Sequence, residues 1–352
     1  MRPAGAFVGL ATLDAVYRVT EPPAADRKLV ASGQELAAGG PAANAAVTYA
    51  ALGGQAMLVT ALGRHPLASH VAGELASRGV RVLDAAPDRV EPPAMSSVWV
   101  VDRTGARSVV SMNDAGAEIA APPGLAGTVG EAAVLLVDGH HPALALAAAR
   151  AARSAGCPVL LDGGSWKPVL DDLLPLVDVA AVSADFRVPG TSTAVGSAAA
   201  LRDRYGVPAV ATTAGPDPVH WTWIPRPGHH PAGRDAGASS RWNGAGRDAG
   251  ASSWGAGRGP GVGAEGEIVA GAVPVPLVAA RDTLGAGDAF HGALAWALAT
   301  RPAALDTAPG FAGALAFAAE IAAVRVTVAG PRRWLADPRL AALAAAWPAA
   351  GR

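Results

Sequence analysis

A glycine-rich turn that runs straight into an apolar helical pattern constrains this chain more than any other stretch. Residues 282–298 read Asp-Thr-Leu-Gly-Ala-Gly-Asp-Ala-Phe-His-Gly-Ala-Leu-Ala-Trp-Ala-Leu. Gly285 and Gly287 let the backbone turn tightly and approach a ligand closely. The first N–H groups of the following helix have no intrahelical acceptor. Ala286, Gly287 and Asp288 therefore present a site that favours an anion or a developing negative charge. Asp288 stands in the first helical turn. A carboxylate there can cap the helix, or it can take a proton beside an oxyanion that the turn stabilises.

A second glycine turn also feeds a helix. Gly39-Gly40-Pro41-Ala42-Ala43-Asn44 opens a helical pattern that Gly53-Gly54 stops. Asn44, one turn in, can bond a ligand hydroxyl or cap the turn. Residues 5–13 predict a buried strand ending at Asp14, at the edge where open α/β sheets bind ligands. Asp14 can touch a substrate hydroxyl there or cap local N–H groups. Strand patterns at 57–62, 80–83, 133–138, 158–162, 177–183 and 209–213 alternate with helical ones at 67–79, 142–155, 168–175 and 195–205. Such alternation implies a parallel sheet covered on both faces. Residues 95–101 and 107–112 flank Asp102-Arg103-Thr104-Gly105, a hairpin signal. The run 268–280 predicts one more strand, with helices at 286–299, 310–323 and 338–348.

Residues 225–265 break this pattern. Gly-Arg-Asp-Ala-Gly-Ala-Ser-Ser occurs from Gly233 and again from Gly246. Such a repeat reads as a duplicated insertion too polar to offset its ordering entropy. Trp242 and Trp254 recur inside it.

The net charge of −1 offers no electrostatic basis for binding nucleic acid or an anionic membrane. Charged residues make up only 16% of the chain, yet no charge-free apolar run reaches the ~20 residues of a membrane span. The one cysteine, Cys157, allows no intrachain disulfide and reads as a buried thiol. These features lead us to expect a cytoplasmic enzyme.

The string Asp282 to Gly292, with Gly39 to Asn44, resembles the two signatures of the ribokinase-like (PfkB-type) carbohydrate kinases. The similarity extends over the chain outside 225–265. Among subgroups it looks closest to ketohexokinase and to kinases of fructose-like sugars, including 6-deoxy-6-sulfofructose. The resemblance implies one doubly wound, three-layer α/β domain over 1–352, with a small β-sheet lid from about 15–38 and 95–113. It implies ATP, Mg2+ and a monovalent cation as cofactors. It further implies phosphorylation of a primary hydroxyl of a sugar, and a homodimer formed through the lid. Asp288 would be the base, with Gly285, Ala286 and Gly287 holding the transferring phosphoryl group. Asp14, Gly40, Asn44 and the lid's Arg107 would hold the sugar. Thr213, Gly215 and Gly330, with Gly285 and Gly287, would border the nucleotide.

This chain departs from the family pattern at three places. Arg64-His65-Pro66 follows Gly63 where an aspartate and a glycine are usual. Ser183-Ala184-Asp185-Phe186 stands where N-x-x-E helps organise magnesium, so the metal residues are left open. Pro216-Asp217-Pro218 replaces a glycine-containing turn. A nucleoside kinase of the same fold and a sugar- or nucleotide-binding protein without turnover are the competing readings.

Overall fold

The computed structural model describes residues 2–113, 116–225 and 268–347. Residues 226–265 of the repeat insertion, with both of its tryptophans, lie outside the described residues. The first half of the chain contains β1 (Ala4–Val8), β2 (Thr12–Val19), β3 (Gly33–Gly39), α1 (Pro41–Ala51), β4 (Gln55–Thr60), α2 (Pro66–Ser77), β5 (Val80–Asp84), β6 (Ala94–Val101) and β7 (Arg107–Ser111). Then come α3 (Leu125–Gly130), β8 (Val134–Val137), α4 (Pro142–Ala155), β9 (Val159–Gly163), α5 (Leu170–Leu173), β10 (Val179–Ser183), α6 (Ala194–Asp203), β11 (Ala209–Ala214) and β12 (Asp217–Trp223). The last elements are β13 (Val269–Val273), α7 (Ala286–Thr300), α8 (Ala308–Val326) and α9 (Pro338–Ala346).

These strands form a nine-stranded sheet, in the order β13-β12-β11-β10-β9-β8-β1-β4-β5, and a four-stranded sheet, β3-β2-β6-β7. From β11 across to β5 every pairing in the large sheet is parallel. Parallel strands need crossover connections, which is why helices cover both faces. One face packs on α1, α7 and α8 through a core that includes Phe7, Leu58, Leu136, Phe290 and Phe311. The other packs on α4 and α6 through Val8, Val137, Leu144, Leu161 and Leu201.

Several expectations are corrected. The strand predicted over 5–13 breaks at Gly9-Leu10-Ala11, where the chain leaves the large sheet and enters the small one. Gly9 has a φ of 158°, and a β-carbon there would lie 2.1 Å from the Asp138 carboxylate. Asp14 therefore belongs to β2, paired with Ala37 on one side and Ser96 on the other. The large sheet is not parallel throughout, because β12 and β13 run antiparallel at one edge. The strand over 268–280 shortens to β13, since Pro274 and Pro276 supply no N–H to a ladder. After Gly215 the chain does turn at Gly215-Pro216, but Asp217 and Pro218 already begin the strand β12, and α3 carried too few apolar residues to register.

α8 has the length and hydropathy of a membrane span by composition alone. Its residues Phe311, Leu315 and Ile321 are nonetheless buried in the core, as is its Arg325.

Candidate active site

The two glycine turns meet. Gly40 has a φ of 93°, and a β-carbon there would lie 2.4 Å from the carbonyl oxygen of Leu10. The turn thus needs glycine both for its backbone and for its space. It starts α1, which lies against α7. Contact between these helices is close because Gly292 has no side chain: a β-carbon there would sit 2.3 Å from the Ala45 oxygen. This packing carries Asn44 to the start of α7, where its Nδ2 donates to Oδ2 of Asp288 at 2.7 Å.

Gly285 caps α7 in the left-handed conformation, with φ 68° and ψ 15°. Ala289 N bonds Gly285 O at 2.9 Å, while Ala286 N reaches Thr283 O at 3.3 Å. The N–H groups of Gly287 and Asp288 lie in the first turn and have no carbonyl within the helix to bond. Ala286 is the weaker of the three expected anion donors, since Thr283 already engages it.

Asp282 anchors this loop. Its carboxylate is fully buried and accepts from Leu284 N at 3.0 Å and from Gly330 N at 2.9 Å. Arg325 is buried beside it, with Nη2 3.4 Å from Asp282 Oδ1 and Nη1 donating to Val328 O at 3.1 Å. Gly330, at φ 92°, is thereby tied to the signature loop.

The small sheet closes on the same loop. The hairpin turn at Gly105 accepts from Thr283 N at 3.2 Å and from Thr283 Oγ1 at 3.0 Å. Leu284 packs against Val16, Val98 and Val100 on the inner face of that sheet. Arg107 is exposed, and its Nη1 donates to Thr283 O at 2.8 Å. Among the described residues its hydrogen bonds go to the loop.

Asp14, Asn44, Thr48, Leu284, Gly285 and Arg332 line one cleft between the sheets. Asp14 accepts from Thr12 Oγ1 at 2.6 Å. Its burial raises the carboxyl pKa, against the opposing effect of the Thr12 and Ser96 hydroxyls and of Arg332. Arg332 holds the cleft together: Nη1 donates to Asn44 Oδ1 at 2.9 Å, Nε to Glu74 Oε1 at 2.9 Å, and Nη2 to Ala38 O. Thr213 and Gly215 lie apart from this cleft, at the end of β11 and in the turn to β12, where Ala184 N bonds Thr213 O at 2.7 Å.

Behind Asp288 stands a second carboxylate. Asp162, at the end of β9, and His291, one turn along α7, are both buried, with Asp162 Oδ2 2.9 Å from His291 Nδ1. Burial and the Asp162 charge push the Asp288 carboxyl up to about 6, while the Asn44 amide and His291 act to lower it. Asp162 and Asp288 raise the His291 pKa against its burial. Asp162, Asp288 and His291 place ligand atoms within 4.8 Å of one another. This donor set does not suit magnesium, which takes oxygens and keeps several waters, because one of its members is a buried imidazole.

Sequence reasoning missed Arg332, Glu74 and Arg325, which belong to no motif and become neighbours only in the fold. Asp162 and His291 were visible at a strand end and inside the signature, but nothing local pairs them.

The comparisons with known proteins agree with this architecture. The family model for pfkB family carbohydrate kinase matches residues 5–221. A putative ribokinase from Agrobacterium tumefaciens superposes with a TM-score of 0.73 at 24% identity, over 99% of this chain and 99% of that one. The Arabidopsis thaliana ribokinase complexed with ribose and ATP gives 0.64 at 20% identity, covering 98% of this chain and 99% of that chain. A fructokinase with bound ATP from Xylella fastidiosa gives 0.62 at 18%, covering 97% and 98%. At these identities the likeness carries the fold.

Proposed function

We propose that this chain, which belongs to the pfkB family of carbohydrate kinases and is a phosphotransferase, moves the γ-phosphoryl group of ATP to a primary hydroxyl of a sugar. One observation carries the reading: the Asp288 carboxylate sits at the open N-terminus of α7 and is held there by Asn44 from the other glycine turn. A hydroxyl placed between Asp288 and that terminus can lose its proton to the carboxylate while the N–H groups of Gly287 and Asp288 stabilise the transferring group. Phosphoryl transfer asks mainly for positioning and charge stabilisation.

Asp14, Asn44 and the backbone turn at Gly40 grip the sugar from the cleft. Thr213, Gly215 and Gly330 border the nucleotide. The small sheet acts as a lid: its Gly105 carbonyl accepts from Thr283 N and Oγ1, and this closure keeps water from the phosphate loop. Magnesium enters only as counterion of the ATP phosphates, and we assign no residue to it or to a monovalent cation. ATP as donor assigns the enzyme to the cytoplasm. The outward side of the lid exposes Leu36, Met95 and Val110, which supports a homodimer through that sheet.

The sugar is a ketose in this reading, fructose or 6-deoxy-6-sulfofructose. Ser183 and Phe186 stand at the two ends of the segment where N-x-x-E is usual and supply no carboxylate, which favours the competing reading of a binding protein without turnover. A coupled ADP-release assay over D-fructose, 6-deoxy-6-sulfofructose, D-ribose and adenosine, in potassium and in sodium, tests all of these. Turnover with a ketose supports the proposal. Turnover with adenosine alone makes the protein a nucleoside kinase, and thermal stabilisation without turnover makes it a binder.

A further inference from the structure

We infer that His291, held by Asp162, is a buried imidazolium that keeps Asp288 ionised, and so acts as a positioning residue for the base. This rests on Asp288 being that base. His291 is 5% exposed and Asp162 likewise 5%. The polar neighbours of the ring are the Asp162 carboxylate, 2.9 Å from Nδ1, and the backbone carbonyl of Ala181 on β10. Both are acceptors. Neutral imidazole has one N–H to donate, and two acceptors favour the doubly protonated ring. Neither ring nitrogen makes a well-aligned hydrogen bond among the described residues, so the two acceptors act on the ring by proximity and charge.

Electrostatics require the same charge. Asp162 and Asp288 bring two carboxylates to within 4.8 Å of the ring and of each other. Two carboxylates sharing a buried site cannot both ionise easily. One of them then carries a proton at neutral pH, and a protonated Asp288 cannot accept another. A cation between them removes that conflict. The surrounding charged and titratable groups come from several elements: Asp162 from β9, His140 from the turn after β8 beside Asp162, whose burial disfavours its charged form, and Arg107 from β7 and Arg325 from α8, both felt by Asp288. His291 is the one that touches Asp162, so its charge is the one that offsets it locally. Two unit charges about 5 Å apart at an effective dielectric near 20 couple by more than about one pH unit.

The test is the pH profile of kcat, with ATP and whichever of D-fructose, 6-deoxy-6-sulfofructose, D-ribose or adenosine gives the highest kcat/KM. The acidic limb of His291→Gln moves up by about one unit or more, with kcat recovering on the alkaline side. In the double variant Asp162→Asn, His291→Gln the limb returns most of the way, because the second carboxylate is gone. A limb that stays where the parent has it in His291→Gln, while Asp288→Asn loses activity, overturns the inference and leaves the base intact. Activity retained in Asp288→Asn overturns the base reading, and this inference falls with it. Should His291→Gln fail to fold, nitrogen NMR of the histidine rings in the unaltered protein decides. One ring with both nitrogens protonated at pH 8 supports the imidazolium; a full set of neutral rings overturns it.

Discussion

Asn44 and Asp288, 244 residues apart in the chain, share a 2.7 Å hydrogen bond that joins the two glycine turns into one site. The same asparagine accepts from Arg332 through its Oδ1. Its amide is therefore oriented from both ends. In the proposed site, Asn44→Ala removes a grip on the sugar, and it frees Asp288 from its amide partner. We expect the sugar KM to rise by roughly five- to 150-fold, the equivalent of about 1–3 kcal/mol, with a smaller fall in kcat and little change in the KM for ATP. Steady-state kinetics with each substrate varied in turn checks this. A change confined to the ATP KM would remove Asn44 from the sugar site.

Asp288→Asn keeps the shape of the side chain and can still accept a hydrogen bond as a cap. It cannot take a proton. We expect kcat to fall by at least about 100-fold. The parent enzyme should lose kcat as pH falls through the Asp288 pKa of about 6, where the base becomes protonated. Stability moves the other way. The folded state holds this proton more tightly than the unfolded chain does, so proton binding favours the fold. The stabilisation from this group grows as pH falls through about 6 and is lost above it. At pH 8 Asp288→Asn should melt at or above the parent temperature in calorimetry. A clear drop would show that the carboxylate serves the fold.

Arg325 and Asp282 are 2% and 0% exposed. Arg325→Met leaves the carboxylate buried without its nearest cation. Removing one member of a buried pair costs about 3–5 kcal/mol. Urea unfolding should show a loss of that size. Adding Asp282→Asn should recover only part of it, because Asp282 also holds Leu284 N and Gly330 N. Full recovery would mean that those two bonds contribute nothing.

Gly292→Ala pushes a methyl group against the Ala45 carbonyl, which belongs to a helix backbone and cannot turn aside. Overpacking of this kind costs about 1–3 kcal/mol. Since α1 carries Asn44, the separation of the helices should also lower kcat. A variant of unchanged stability and rate would show that the two helices can part freely.

Val110 is 60% exposed on the lid and shares a cross-strand row with Ser97, Ala15 and Leu36. Val110→Lys should shift a lid-mediated dimer to monomer in light scattering, with the fold unchanged by circular dichroism. An unaltered mass would exclude this face as the interface.

What the sequence determined by itself was local or periodic. Glycine turns at Gly39-Gly40 and Gly285–Gly287 announce themselves because few residues tolerate such backbone, and helices follow both. The alternation of apolar strands with helices was enough to indicate a covered parallel sheet. The hairpin at 95–112 was legible from its turn. Tertiary structure decided the rest. Asp14 looked like the end of a core strand, because an apolar run does not show where a chain changes sheets; the break comes from Gly9 against Asp138. The antiparallel β12 was hidden behind Pro216 and Pro218, and strand pairing depends on a partner distant in the chain. Asp162, His291, Glu74, Arg325 and Arg332 carry no spacing that links them. Their pairing arises only where β9, α2, α7, α8 and the C-terminal loop converge, and burial there shifts the protonation of Asp288. Desolvation is a property of a place in the fold, and no residue carries it alone.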